Sequence, residues 1–485
     1  MKIQLYTPLD LNTLARMAGG RLVLHDVSER VGITHICTDS READGNTLFC
    51  AIRGERVDGH DYMAKAATLG CSAFLCERLP DGLPAAAFAS IMVSDTVEAM
   101  ARLAGFRREH DLRGLPVVAV TGSVGKTTTK EMICAVLSTA KNTFKKDGNY
   151  NSTIGLPLSF LEVSADSEGA VLEMGMSSRG EIAAMTAAVR PDLAVIANVG
   201  SSHLEHLGSR ENIARAKLEI AQGLRPGGTL LINGDEPLLA SLGQDLDDEK
   251  PVIPHGIRVL RLSLADALDA DYTARHIAVR DGGMCFDLAT PEGVWLDLWI
   301  PAMGEHLVWA AAFAAAVGQI QGLNQGQVKA GLAAYRPADM RQNTRTVGDV
   351  TMIEDCYNAA PESMGAALKV LHLTPAARRI AVLGDMKELG DNTEALHRGV
   401  GAETVRQGVD LLVAVGELGH FIALGAMDLG LPAEAIKLVP ATEDYPAAAR
   451  WLLGELGAGD CVLFKASRAM ALEKMAAAVA EGLKG

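Results

Sequence analysis

The chain has 485 residues, of which 48% are hydrophobic, 22% charged and only 4% aromatic. That length is more than one hydrophobic core organises, and about three domains are expected. A formal net charge of −15 argues against nucleic acid or an anionic membrane as main partner, because both need a basic footprint.

The start, MKIQLYTPLDL, carries no unbroken apolar run, so no signal peptide is expected. The greasiest stretch, 307–320, falls short of the ~20 residues a membrane span needs and reads as a buried Ala-rich helix. Eight scattered cysteines form no C-x-x-C pair, which points to reduced core thiols. A cytoplasmic monomer without membrane insertion is the expectation.

Taken in chain order, the first region (1–113) holds short strand-like runs at 33–37, 47–51, 73–76 and 91–93, and a polar helix at 98–110. The second (114–335) opens on the all-apolar run 117–120, with further buried strands at 169–172, 193–198 and 229–233. Continuous Val-rich runs alternating with helices predict a parallel sheet covered on both faces. The third (336–485) repeats the alternation at 351–354, 380–383, 411–415 and 461–464, a second, Rossmann-like α/β sandwich.

The strongest local signal is Thr121-Gly122-Ser123-Val124-Gly125-Lys126-Thr127-Thr128. A buried strand ends, a Gly turn follows, and a helix opens on Lys-Thr-Thr. Backbone N–H groups of such a turn cradle phosphate, Lys126 reaches the β and γ phosphates, and Thr127 suits Mg²⁺. The spacing is G-x-x-G-K-T, shorter than the common P-loop, because Val120 stands where the first Gly would be.

Glu173 follows the apolar run 169–172, where α/β nucleotide enzymes place a Mg²⁺ ligand; a solvated strand-end carboxylate is the bland alternative. His203 lies in the turn after the next buried strand, on the same rim, as a ligand or a surface residue. Lys217 shares a stripe with Ile213, Ile220 and Leu224 on a helix expected to start at Ser209. It either snorkels to water or, desolvated, becomes a neutral amine that takes up CO₂ as a metal-binding carbamate.

Together these motifs resemble the Mur ligases. The likeness rests on 121–127 with Lys130-Glu131-Met132, Gly148-Asn149-Tyr150-Asn151 with Gly155-Leu156-Pro157, and Glu173-Met174-Gly175. Asn198-Val199-Gly200, His203-Leu204-Glu205 and 216–220 continue it. Asp355-Cys356-Tyr357-Asn358, Leu383-Gly384-Asp385-Met386 and Lys465 with Ser467-Arg468 are similar to the D-alanyl-D-alanine-adding branch.

The resemblance implies an α/β chain of three domains: a UDP-substrate domain, a central parallel-sheet P-loop ATPase domain and a Rossmann-like ligase domain. It implies ATP, two Mg²⁺ ions and a carbamylated Lys217, with UDP-muramoyl-tripeptide and D-alanyl-D-alanine as substrates. Lys126 and Thr127 would take phosphates and metal; Glu173, His203 and Lys217 would serve the metal; Asn149 and Asn151 would lie near the reacting centre. Asn233 and Asp235 would sit near adenine, and Arg341 and Asp355 would reach ATP from the third domain as it closes on a hinge near 335–337. Asp39, Ser40, Arg41, Gly54, Arg56, Asp58, Gly59 and His60 would hold the UDP-sugar-peptide, and Tyr357, Asn358, Lys465, Ser467 and Arg468 further substrate.

Leu307 and Ala310 stand where the family often has Asn, Met340 where it has Gly, and Ala360 and Ala466 where it has Asn and Gly. Another amide ligase of the same superfamily and a non-catalytic nucleotide-binding protein are the competing readings.

Overall fold

The computed structural model describes residues 1–27, 31–54, 56–83, 87–148, 150–241, 253–265 and 269–484; the candidate Asn149 lies outside them. Among the described residues there are three sheets of six, nine and six strands, so the expected α/β architecture is present. All eight cysteines are free, and all but Cys285 are buried. No described helix is long and apolar enough to cross a membrane.

The first sheet runs Lys2–Leu9, Ile33–Cys37, Thr47–Cys50, Ala73–Cys76, Phe88–Met92, Arg21–His25. Its inner strands pair in parallel and its two edges antiparallel. Both edge strands escaped the sequence reading because they are half-exposed: Lys2–Leu9 mixes polar and apolar residues, and Arg21–His25 offers only the three-residue run 22–24. Helix Thr96–His110 starts at Asp95, whose carboxylate accepts the Glu98 N–H at 2.8 Å.

Near the end of that helix Arg108 is 2% exposed. Its guanidinium donates to the carbonyls of Leu112, Leu115 and Arg190 and to the Asp192 carboxylate at 2.9 Å. It therefore ties the first unit to the start of the central sheet, where Asp192 also accepts the Val117 N–H. Arg108→Met keeps the apolar stem but strands these acceptors. We expect a loss of about 3 kcal/mol, read as a lower urea midpoint at unchanged slope.

The central sheet runs Gly293–Ile300, Gly283–Thr290, Tyr272–Arg280, Arg258–Ser263, Thr229–Asn233, Leu193–Ile196, Val117–Thr121, Gly169–Glu173, Thr143–Lys145. From Tyr272–Arg280 to the last strand it is parallel, as expected; the other end adds two antiparallel pairings the sequence reading did not foresee. Val120 stands opposite Glu173, and Thr121 opposite Ile196. Three strands thus end together on one rim, the place where parallel sheets bind ligands. The Ala-rich helix Glu305–Ile320 is buried along most of its length and packs on helix Lys126–Leu137.

The third sheet runs Asn343–Val347, Val350–Glu354, Cys461–Lys465, Arg379–Gly384, Leu411–Val415, Ile436–Val439. Only the first pair is antiparallel. Glu354 lies opposite Phe464, so Asp355 and Lys465 leave the sheet side by side.

One helix is shorter than its apolar stripe suggested. Capped by Ser209, it spans Arg210–Leu218, and Ile220 falls in a 3₁₀ turn, Glu219–Ala221. The stripe is nonetheless buried throughout, because the turn keeps the same side chains against the core.

Candidate active site

A cleft of about 900 Å³ lies between the central and third sheets. The phosphate loop forms its floor. Strand Val117–Thr121 is buried throughout, and the Thr121 hydroxyl donates to the Met174 carbonyl at 2.8 Å. Gly125 turns the chain at φ +76° and leads into helix Lys126–Leu137 with no side-chain cap. The first-turn N–H groups of that helix are thereby left to an anion.

The loop is braced by Asn198. Its Oδ1 accepts the N–H groups of Ser123 and Val124 at 3.0 Å each, and its Nδ2 donates to the Val124 carbonyl at 2.8 Å. Lys126 folds back, its ammonium donating to the carbonyls of Gly122 (2.8 Å) and Ser123 (3.1 Å). Desolvation lowers its pKa, with the nearby Glu173 charge opposing.

Glu173 is buried, and donors meet both its oxygens: Thr127 Oγ1 at 2.7 Å and Asn151 Nδ2 at 2.8 Å. His203 lines the same cleft with backbone φ +65°, and its Nδ1 is 2.6 Å from Glu388 Oε2 of the third unit. Burial lowers the His203 pKa, and Glu388 opposes the shift. Lys217 is 2% exposed. Burial takes its pKa well below the usual lysine range, and the Lys126 charge adds to the shift. No hydrogen bond or ion pair to its ammonium is formed among the described residues.

The third unit supplies the opposite wall. Arg341, Asp355, Tyr357, Asn358 and Lys465 already line the cleft that holds the phosphate loop. The Arg341 guanidinium stacks on the Tyr357 ring at 4.0 Å. It is presented on a turn with two left-handed neighbours, Met340 (φ +57°) and Gln342 (φ +49°). A non-glycine residue such as Met340 pays a conformational cost there. Lys465 donates to Asp355 Oδ2 at 2.6 Å and to the Asn358 carbonyl at 3.0 Å.

Leu307 and Ala310 line the cleft beside His306 and Trp309 and bring apolar side chains to this wall. Asn233 also reaches the cleft. Asp235 does not line it: Ser263 Oγ, Leu264 N–H and Ala265 N–H bind its carboxylate. Ser467 and Arg468 also lie outside the lining. Ser467 Oγ accepts the Lys387 N–H at 3.1 Å, and Arg468 pairs with Glu473 at 2.8 Å.

The first-unit candidates form a separate group. Asp39 caps the turn Ser40–Glu42 and pairs with the largely exposed Arg41 at 2.6 Å, which holds its carboxyl well below the usual range. The Gly54 N–H donates to the Val57 carbonyl at 2.9 Å, and Arg56 is exposed. Asp58 binds Arg78 and the ring of His60, which turns inside the loop beginning at Gly59. His60 is fully buried; its Nε2 accepts the Glu77 N–H at 2.9 Å, so both ring nitrogens hold the loop. From sequence, Asn198 and Glu388 were only members of family motifs without an assigned role, and Glu362 was not singled out at all, because each acts across elements far apart in the chain.

Phosphate donors, a buried carboxylate and a histidine on one wall suit Mg²⁺ only in part. Among the described residues no group of three or more His, Cys, Asp or Glu could hold a metal ion. An ion here would take most of its ligands from phosphate oxygens, as Mg²⁺ does in nucleotide enzymes.

Comparison with known proteins agrees with this geometry. Residues 32–108, 120–318 and 340–468 match the profiles "Mur ligase family, catalytic domain", "Mur ligase middle domain" and "Mur ligase, glutamate ligase domain". The chain is 36% identical to UDP-N-acetylmuramoyl-tripeptide–D-alanyl-D-alanine ligase of Bacillus subtilis, over 96% of this chain and 97% of that protein. The enzyme of that name from Escherichia coli is 35% identical over 85% and 87%. MurF from Acinetobacter baumannii superposes with a TM-score of 0.87 at 30% identity, covering 99% of this chain and 100% of that one. MurF from Thermotoga maritima, solved with ADP, gives 0.78 at 28% identity over 93% and 97%. With relatives this similar along nearly its whole length, the chain belongs to the Mur ligase family.

Proposed function

We propose that this chain is a cytoplasmic ATP-dependent ligase joining D-alanyl-D-alanine to UDP-N-acetylmuramoyl-tripeptide through an acyl-phosphate. One observation carries the reading: a braced phosphate loop, Glu173 and His203 share a single cleft with Arg341 and Lys465 from the third unit.

A carboxylate and an amine do not condense unaided in water, because oxide is a poor leaving group. A tripeptide carboxylate oxygen bonds to the γ-phosphorus, the bond from that phosphorus to ADP breaks, and the resulting acyl-phosphate carries phosphate as its leaving group. The dipeptide amine then attacks the carbonyl carbon, phosphate leaves, and the amine gives up a proton. The first step brings two anions together. Loop N–H groups, Lys126 and Arg341 are suited to carry that charge. Thr127, Glu173 and His203 would hold Mg²⁺, which supplies further charge neutralisation on the phosphates. Lys217 is read as a carbamate formed when its neutral amine adds CO₂ and loses a proton. Asn151 orients Glu173, and Asn358 with Lys465 faces the incoming dipeptide.

The test is phosphate release. It should require ATP and UDP-muramoyl-tripeptide and rise strongly on adding D-alanyl-D-alanine. Release that responds instead to glutamate, or to a third-residue amino acid with the UDP-dipeptide substrate, would reassign the chain within the family.

The first unit is read as the UDP-substrate site. A Ser40→Ala, Arg41→Ala double variant should raise KM for that substrate about 10- to 100-fold, the loss of a charge-assisted hydrogen bond or two. ATP affinity should not move. A fall in ATP affinity with an unchanged UDP-substrate KM would show the units' roles to be misassigned.

A further inference from the structure

Glu362 sits in the first turn of helix Pro361–Leu373, on the third unit. Its carboxylate crosses to the loop after strand Leu193–Ile196. There Oε1 accepts the Ser201 N–H at 2.8 Å and also the Ser201 hydroxyl. The approach depends on Gly200: a Cβ at that residue would stand 3.0 Å from Glu362 Cδ and Oε1 and 3.2 Å from Ser123 Cβ. The Gly200 N–H in turn donates to Ser123 Oγ at 2.8 Å. The receiving loop is therefore fastened to the phosphate loop itself. Ser123, Gly200, Ser201 and Glu362 all line the cleft.

A backbone N–H and a hydroxyl converging on one oxygen are the donors an oxyanion requires. The glutamate that fills this seat is itself an oxyanion, so the chain displays the class of atom the seat accepts. It reaches there from a different unit, at the side of the loop whose N–H groups serve phosphate.

We propose that Gly200 and Ser201 form an oxyanion seat of the ligation site, and that Glu362 is a built-in competitor which must leave before a substrate oxygen can bind. The proposal rests on the ligase reading above. Two sources share the chemistry: the transferring phosphoryl group of ATP and the reacting carboxylate of the tripeptide substrate. Either would exchange the intramolecular carboxylate for its own oxygen without changing the donors.

The test is calorimetric binding to the full chain and to Glu362→Ala and Glu362→Asp. Aspartate keeps the negative charge at the helix start, where it is favourable, but is one methylene shorter and should not reach the seat. The probes are Mg²⁺ with a non-hydrolysable ATP analogue, Mg²⁺ with ADP, and UDP-muramoyl-tripeptide alone. Both variants should bind the analogue or the tripeptide about three- to tenfold more tightly, the worth of one displaced hydrogen-bonded contact, and ADP as before. A gain for the analogue assigns the seat to the phosphoryl oxygen; a gain for the tripeptide assigns it to the carboxylate. Unchanged or weaker binding of both, or an equal gain for ADP, overturns the proposal. Phosphate release by the unmodified chain is measured alongside, because its absence would overturn the ligase reading whatever the binding shows.

Discussion

A Lys126→Ala chain is expected to lose at least about 10³-fold in ligation rate while still binding the UDP-substrate. The ammonium now donates to the Gly122 and Ser123 carbonyls at 2.8 and 3.1 Å. Turning it onto the β and γ oxygens replaces two neutral acceptors with anionic ones, a stronger bond in a desolvated site. No other lysine belongs to the phosphate loop. The fold should survive, because Lys126 opens its helix rather than filling the core. Asp39 and Arg41 lie on a turn that follows a strand of another sheet, so UDP-substrate binding should persist. Phosphate release and equilibrium binding measure the two effects separately. Near-normal turnover would sink the phosphate-loop assignment.

The loop was legible in sequence because its chemistry is local. An apolar strand, two glycines and Lys-Thr fall within twelve residues, 117–128, and the helix that follows is set by the same stretch. Lys217 was legible through the periodicity of Ile213 and Ile220, even though the helix stops at Leu218. Asn198 was not. As a residue it is one amide at the end of a buried strand; its role exists because Leu193–Ile196 pairs beside Val117–Thr121. Glu362 and Glu388 depend on a contact between sheets, which no local pattern encodes. Asp235 is the converse case, a residue singled out from sequence that lies outside the cleft lining. The family resemblance put it near adenine beside Asn233; in the structure Ser263 and two following N–H groups hold its carboxylate. The strands Gly283–Thr290 and Gly293–Ile300 were passed over because Asp287 and Asp297, on their more exposed side, break up what would otherwise be continuous apolar runs. Their alternation around Pro291-Glu292 was the available signal.

Lys217→Ala is expected to leave a folded chain whose turnover falls by about 10²- to 10³-fold, the scale of losing one preorganised charge at a phosphoryl-transfer site. An ammonium that is 2% exposed, with no ion-pair partner among the described residues, is a poor resident there. The Lys126 charge makes it worse. Two forms relieve the conflict: the neutral amine, and the carbamate that amine makes with CO₂. Only the carbamate brings negative charge, which Lys126 and a nearby Mg²⁺ would both attract. ATP binding should therefore weaken less than turnover does. Acetate or formate should restore part of the activity of Lys217→Ala by filling the anion's place. They should do nothing for Lys126→Ala, whose missing group is a cation. Depleting CO₂ and bicarbonate should slow the unmodified chain and leave Lys217→Ala unaffected. A fully active Lys217→Ala chain, or rescue equal in the two variants, would leave Lys217 as a lysine buried for packing alone.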